Sequence, residues 1–431
     1  MEGQGSARRT FLRSTSAAVA ATLLPARARG ANDRIAAAFI GMGRMGIANL
    51  RIALKQPGLE AVAVCDVYRP HLEQAVAETG GRARPVRDFR EILADKSIDV
   101  VCISTPDHWH AYMTVEACKA GKDVYVEKPL CVAIEEGRKM VEAARKYNRV
   151  VQAGTMQRSG IHFRKACDLV RKGVLGKVTF VRTWNYGLAP EQGIGNPADR
   201  DPPEGLDWDL WLGPAPKRPF NPNRFGVDPK AFSHFRWFWD YAGGMMTDWG
   251  VHWLDIVQMA FGEEMPAAVV ALGGKYYLKD NRETPDTLQV TYEYPSGFIA
   301  TYENRFGNAQ SLFNKPGGIL FHGSKATLFV DRSEYRLLPE RDSGLEYIQE
   351  PSSNNANVAH WQNFLECVRT RQRPVSDVET CFRSTATCLL GNIALLSRRR
   401  IDWDDKAGTV LQKEAEPLLR REYRPPWKLE V

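Results

Sequence analysis

The chain has no internal repeat, no low-complexity tract and no C-x-x-C pair. Solenoid and fibrous architectures are thereby excluded. Its eight cysteines (Cys65, Cys102, Cys118, Cys131, Cys167, Cys367, Cys381 and Cys388) are scattered, most of them within apolar strand or helix patterns. Buried free thiols are expected from that, rather than disulfides or a metal site. Charge of one sign is not in large excess either. Lys and Arg number 58 against 51 Asp and Glu, a formal +7, of which five arginines and one glutamate in residues 1–30 account for +4 and leave +3. That balance calls for neither nucleic acid nor an anionic membrane.

What the N-terminus does contain is Arg8-Arg9-Thr10-Phe11-Leu12-Arg13, then a mild apolar run from Ala17 to Leu24, then Ala26-Arg27-Ala28. The run is far short of the roughly 20 residues that span a bilayer. A paired arginine, a short apolar stretch and an A-x-A site together read as a twin-arginine export signal over residues 1–30. A periplasmic or otherwise exported location is expected, with no stable membrane insertion. The remaining 400 or so residues are enough for two domains, each with its own core.

The rest is organised around Arg34 to Gly46. Ile35 to Ile40 reads as a buried strand, and Gly41, Gly43 and Gly46 fit G-x-G-x-x-G ahead of a helical stretch from Ile47 to Lys55. In that setting Gly41 makes the tight turn, Gly43 admits a pyrophosphate and Gly46 lets helix and strand pack. A second apolar run, Leu59 to Cys65, ends in Asp66, 20 residues beyond Gly46. A carboxylate there grips the ribose hydroxyls of NAD and disfavours NADP, although Arg69 and His71 stand nearby.

Strand and helix patterns then alternate: a polar helix from Pro70 to Glu78, a short one around Phe89 to Asp95, a strand from Asp99 to Ser104, a helix from His110 to Ala120. Asp123 to Val126 is a further strand, Ile134 to Tyr147 a helix, and Val150 to Ala153 closes the run. This predicts a doubly wound parallel sheet over residues 32–155, with ligands at the strand carboxyl ends. Two such ends stand out. Thr105-Pro106 can lie against a nicotinamide or its ribose, and Glu127-Lys128-Pro129 sends a lysine from a buried strand toward a substrate hydroxyl. His108 and His110 lack nearby Cys or carboxylate ligands, so no metal is expected.

Residues 156–400 are expected to form a second α/β domain. Thr179 to Tyr186 alternates like a strand, and Gly187 to Phe235 is a long stretch with nine of the 25 prolines, the mark of a lid, a binding loop or an oligomer arm. Strand patterns at Ala268–Gly273, Asp286–Tyr294, Phe298–Arg305, Gly318–His322 and Ala326–Val330 imply a mainly antiparallel open sheet. Helices are expected from Val358 to Thr370 and Val378 to Ser397, and residues 401–431 read as a closing strap. Met245 to Phe261 reads as a helix with Asp248 and His252 on one face at i, i+4. An imidazole there can take a hydroxyl proton, and the carboxylate can orient the ring or bind a neighbouring hydroxyl.

The glycine motif, Asp66, Thr105-Pro106-Asp107-His108-x-His110, Glu127-Lys128-Pro129, Gly154-Thr155-Met156-Gln157-Arg158 and Gly243-Gly244-Met245-Met246-Thr247-Asp248-Trp249-Gly250-Val251-His252 together resemble the glucose–fructose oxidoreductase and inositol dehydrogenase (Gfo/Idh/MocA) superfamily. The resemblance implies a catalytic set of Lys128, Asp248 and His252. It implies cofactor contacts from Gly41, Met42, Gly43, Arg44, Met45, Gly46, Asp66, Thr105, Pro106, His110, Glu127 and Lys128. Substrate contacts are expected from Gln157, Arg158, Trp184 and Trp237 besides Asp248 and His252. The C-terminal sheet is expected to pair copies into a homodimer or homotetramer. The activity so implied is NAD-dependent oxidation of a hydroxyl on a sugar, polyol or glycoside. Two alternatives stay open: glycoside cleavage through a transient 3-keto sugar with NAD regenerated, and a non-catalytic sugar-binding protein. Within the catalytic set His252 is expected as general base, with an acid limb near pH 6–7, and Lys128 as a cationic hydrogen-bond donor.

Overall fold

The computed structural model describes residues 34–225 and 233–431. The twin-arginine segment lies outside the described residues. β1 (Ile35–Ile40), β2 (Leu59–Cys65), β3 (Arg84–Val86), β4 (Val100–Ile103), β5 (Asp123–Val126) and β6 (Val151–Ala153) form one sheet in the order β3-β2-β1-β4-β5-β6. Every pairing in it is parallel. Strands buried on both faces need near-continuous apolar runs, which β4 and β5 show with every residue buried. The order reverses between β1 and β4, and a crevice opens at the carboxyl ends there.

The second sheet has ten strands. They are β7 (Val178–Tyr186), β8 (Ala268–Gly274), β9 (Thr287–Tyr294), β10 (Phe298–Arg305), β11 (Gly317–Gly323), β12 (Ala326–Val330), β13 (Glu334–Pro339), β14 (Ile348–Pro351), β15 (Ile401–Asp404) and β16 (Thr409–Val410). Their order is β14-β13-β12-β11-β7-β10-β9-β8-β15-β16, antiparallel throughout except where β7 meets β10. One face is covered by helices Val251–Ala260 and Val378–Ser397, whose buried residues join Val290, Tyr292, Ala300 and Tyr302 in the main core. Opposite, Val270, Leu272 and Ile299 are exposed.

Three elements cross between the sheets in ways that short-range pattern does not reveal. Helix Ala356–Thr370 returns to the parallel sheet, where Trp361 stacks on Tyr125 at 4.5 Å and Trp361 Nε1 donates to Asn49. The described part of the proline-rich stretch packs back onto the end of the parallel sheet. Its aromatic residues Trp211, Phe220 and Phe225 pack with Tyr68, and Arg69 N and Asp207 N bond across to Gly205 O and Val67 O. The C-terminal segment adds β15 and β16 to the second sheet, then brings Trp427 edge-on to Trp109 at 4.9 Å.

Candidate active site at the carboxyl ends of the parallel sheet

A cavity of ≈ 330 Å³ sits at the switch point, lined by the glycine loop, Asp66, Thr105, Pro106, Glu127, Lys128, Asp248 and His252 among others. Its floor follows from glycine chemistry. Gly41 has φ +84°, and a Cβ on it would lie 2.6 Å from Thr105 N. A Cβ on Gly46 would lie 1.9 Å from Gly41 O, so this glycine is what lets helix Arg44–Ala53 sit against the turn. A Cβ on Gly43 would meet nothing within 4 Å. The loop is therefore closed behind and open in front, as a diphosphate requires. No side chain caps the helix N-terminus, which leaves its N–H groups and positive dipole end facing the cavity.

Asp66 accepts from Met42 N at 2.6 Å and Tyr68 N at 2.8 Å, with His71 Nδ1 3.5 Å away. It shapes the glycine loop as well as presenting a carboxylate to the cavity. Three buried polar atoms on cavity-lining residues have no hydrogen-bond partner among the described residues: His71 Nε2, Thr105 Oγ1 and His252 Nδ1. Buried polar groups are rarely left so unless a ligand completes them. The donors, the open glycine and these orphaned atoms fit a dinucleotide. Arg44, Met45, Pro106 and Glu127 also line the cavity. Met42 and Gly46 contribute from behind, through a backbone N–H and close packing.

His110 does not reach the cavity. Its ring is buried between Pro129 O (2.7 Å from Nδ1) and Thr105 O (2.9 Å from Nε2), tying two cavity-lining segments together. Burial holds its pKa down to about 4 although two carbonyl acceptors favour the charged ring. Glu127 is similarly tied: it accepts from Asn49 Nδ2 at 2.8 Å and Lys128 N at 3.2 Å, and burial raises its pKa.

Lys128, Asp248 and His252 meet at the far side, but not as a regular helix would place them. Residues Met246–Gly250 form a π-helical turn that leads into helix Val251–Ala260. The i→i+5 bonding widens that turn, and among the described residues no hydrogen bond joins the Asp248 carboxylate to His252. Asp248 instead accepts from Lys128 Nζ through Oδ1 at 2.7 Å and through its backbone O at 2.8 Å, and its Oδ2 lies 3.3 Å from Arg236 Nε. The expected ring-orienting role of Asp248 is thus corrected, because its carboxylate is engaged by two cations. Burial alone would raise its pKa, yet Arg236 and Lys128 hold it down to about 2.

His252 is steadied from elsewhere. Gln157 Nε2 donates to its backbone O at 2.9 Å, and Trp249 lies edge-on with ring centroids 5.7 Å apart. Burial first, then Arg332 and Lys128, push its pKa well below the ordinary imidazole value. The ring is therefore held neutral, and the same burial and cations lower its proton affinity. Asp107 also lines the cavity, and burial lifts its carboxyl to about 8 against the pull of Arg236 and Lys128.

Four expected substrate contacts fall elsewhere. Trp184 is fully buried against Phe329, because the alternation of β7 turns it to the face opposite Asn185. Trp237 is buried beneath the Arg282 guanidinium, 4.8 Å from its ring, and edge-on to Phe306. Gln157 acts behind the site, linking His252 O to Arg332 Nε, which donates to Oε1 at 3.0 Å. Arg158 is buried between Asp255 at 2.8 Å and Glu263 at 2.6 Å. The tryptophans that line the cavity are Trp109, Trp211 and Trp249. Arg236 and Arg332 also line it and were not anticipated, since no local motif marks them.

Residues 35–155 match the family described as the oxidoreductase family, NAD-binding Rossmann fold, and residues 161–429 match its C-terminal alpha/beta domain. Among curated proteins, inositol 2-dehydrogenase of Salmonella typhimurium is 31% identical over 159 residues, covering 36% of this chain and 47% of that protein. A glycosyl hydrolase family 109 protein of Shewanella sp. (strain W3-18-1) is 30% identical over 158 residues, 34% of either chain. The matched stretch thus spans a third to a half of these relatives. In fold, the WlbA dehydrogenase of Bordetella pertussis, solved with NADH and UDP-GlcNAcA, superposes with TM-score 0.65 at 19% identity, over 86% of this chain and 99% of that one. Levoglucosan dehydrogenase, solved with NADH and levoglucosan, gives 0.66 at 16% identity, over 86% and 99%. With both of its domains matched over nearly all the described residues, this chain belongs to the Gfo/Idh/MocA family of NAD-binding oxidoreductases.

Proposed function

We propose that this protein oxidises a hydroxyl of a sugar, polyol or glycoside. The observation that carries the reading is the convergence of Lys128, Asp248 and His252 on the cavity that the glycine loop and Asp66 also line. The names of the inositol and levoglucosan dehydrogenases support the substrate class. NAD, when bound over Gly43 and Asp66, supplies a hydride acceptor. The chain's own work is with the proton. Neutral His252 accepts it from the hydroxyl, and Lys128, anchored by ionised Asp248, donates a hydrogen bond to the oxygen on which negative charge develops.

A second reading is supported by Asp107. A carboxyl lifted to about 8 by burial is a proton donor separate from His252 within the same cavity. Elimination of an aglycone after oxidation next to the departing bond needs such a donor. The similarity to a glycosyl hydrolase family 109 protein points the same way. One experiment separates the two: incubate the protein with a panel of sugars and glycosides, following NADH absorbance and released aglycone together. Net NADH supports oxidation; aglycone release without NADH supports cleavage; neither, across the panel, refutes both.

The paired arginines of residues 1–30 lead us to propose export of the folded protein with NAD already bound, and exposed Val270, Leu272 and Ile299 lead us to propose pairing of two copies through the second sheet. Native protein from the extracytoplasmic fraction, exhaustively dialysed, should sediment as a dimer or larger and release close to one NAD per chain on denaturation. A cytoplasmic location, a monomer or a cofactor-free active preparation each contradicts its part.

Asp66 gives a narrower expectation. Asp66→Ala should lower NAD affinity by roughly tenfold, since Met42 N and Tyr68 N lose their acceptor along with the ribose contact. It should also shrink the preference for NAD over NADP, because the repulsion of a 2′-phosphate disappears. Calorimetry with both nucleotides checks this; equal affinities in the native protein would refute the assignment.

A further inference from the structure

Beside the candidate active site lies a second cavity of ≈ 310 Å³, and the two share Trp249 and Arg332 as walls. Four of its lining residues are aromatic, Tyr186, Trp249, Trp253 and Phe306, and its polar side chains are Asn185, Asp331 and Arg332. From His252 the path leads across Trp249, 5.7 Å away by centroids, to Trp253, a further 5.9 Å. Arg332 forms part of this shared lining, its guanidinium 4.4 Å from the Trp249 ring. Only its Nε is engaged, by Gln157; its terminal nitrogens donate to no other described residue. Asn185 accepts from Trp253 Nε1 at 2.9 Å and Tyr302 Oη at 3.2 Å, while its amide nitrogen has no partner among the described residues. A Cβ on Gly317 would come within 2.7 Å of that nitrogen, so the glycine keeps the wall clear.

We infer that the second cavity is a subsite for an aromatic aglycone, so that the substrate is an aryl glycoside whose sugar ring lies against Lys128 and His252. This rests on the oxidoreductase reading and narrows its substrate class. The lining decides between occupants. A second sugar would carry several hydroxyls into a wall with few free polar partners, Arg332 and the Asn185 amide, since the Asp331 carboxylate is already held by Ser333, Glu334 N and Lys315; each unpaired hydroxyl costs free energy. A flat aryl ring packs against apolar and aromatic walls and needs few polar partners. Its linkage to the sugar would pass beside Trp249 and Arg332, the residues common to both cavities.

The test is calorimetric titration of NAD-loaded protein with 4-nitrophenyl β-D-glucopyranoside, methyl β-D-glucopyranoside and cellobiose, and with the corresponding galactose and N-acetylglucosamine derivatives. For at least one sugar the aryl glycoside should bind tenfold or more tightly than the methyl glycoside, and the disaccharide should gain little. Phe306→Ala, and the milder Phe306→Leu, should reduce the aryl-to-methyl ratio several-fold. Equal aryl and methyl affinities in every series overturn the inference, as does a disaccharide that gains as much as the aryl compound. NADH absorbance in the same samples keeps the two ideas apart. Aryl preference without turnover or aglycone release leaves the subsite standing and removes the catalytic reading, whereas turnover of methyl glycosides without aryl preference does the reverse. No binding by any glycoside refutes both.

Discussion

Replacing His252 with alanine is expected to lower turnover by roughly 10²–10⁴-fold, the usual contribution of a positioned general base. Substrate affinity should be mostly kept, because Lys128, Asp248 and the rest of the cavity lining are untouched. The pH profile separates this role from a merely structural one. Burial, then Arg332 and Lys128, push the imidazole pKa well below its ordinary value near 6.5. The base works in its neutral form, so a lowered pKa moves the acid limb of kcat/KM to lower pH. That revises the limb near pH 6–7 expected from the sequence. Native enzyme should therefore keep its full rate on this limb at pH 6.5 and lose it only further into acid. In His252→Ala the limb should vanish. If it survives unchanged, another group is the base, and Lys128 is the next to test.

Much of this site is legible from local sequence because its parts act through neighbours in the chain. Gly41, Gly43, Gly46 and Asp66 lie in one strand–turn–helix–strand unit, and the backbone geometry each needs is set within a few residues. The ends of β4 and β5 are equally local, which is why Thr105 and Lys128 are legible as strand carboxyl-end residues from the sequence pattern alone. Strand alternation also gave β9, β10 and β12 to within a residue. It did not tell which face of β7 meets the site. Trp184 and Asn185 point opposite ways, and only the pairing of β7 with β10 and β11 decides which of them faces helix Val251–Ala260. Arg236 and Arg332 arrive from remote segments, and their proximity to Asp248 and Trp249 depends on tertiary packing alone. The π turn at Met246–Gly250 cannot be told from regular helix by sequence, since the apolar periodicity that suggests a helix does not distinguish one extra residue in a turn. The role of Asp248 as the anchor of Lys128, instead of the orienter of His252, is likewise set by tertiary contacts with Lys128 and Arg236.

That revised role sets the consequence of changing Lys128. Lys128→Met keeps much of the side chain's length and removes its charge, and it should lower kcat/KM by about 10²–10³-fold through loss of the donor to developing alkoxide. Binding should suffer too, unlike in His252→Ala, because Lys128 holds Asp248 by two hydrogen bonds, at 2.7 Å to Oδ1 and 2.8 Å to the backbone O. Removing one partner of a buried ion pair usually costs about 3–5 kcal/mol. Here Arg236 still faces the remaining carboxylate at 3.3 Å, so the loss of stability should fall below that range. Asp248→Asn should be milder in turnover, since Lys128 keeps its charge and the backbone acceptor. The double variant then measures the pair. If Lys128 and Asp248 act as one anchored donor, Lys128→Met with Asp248→Asn should be little worse than Lys128→Met alone. Fully multiplicative losses in kcat/KM would show instead that Asp248 serves the substrate independently of the lysine.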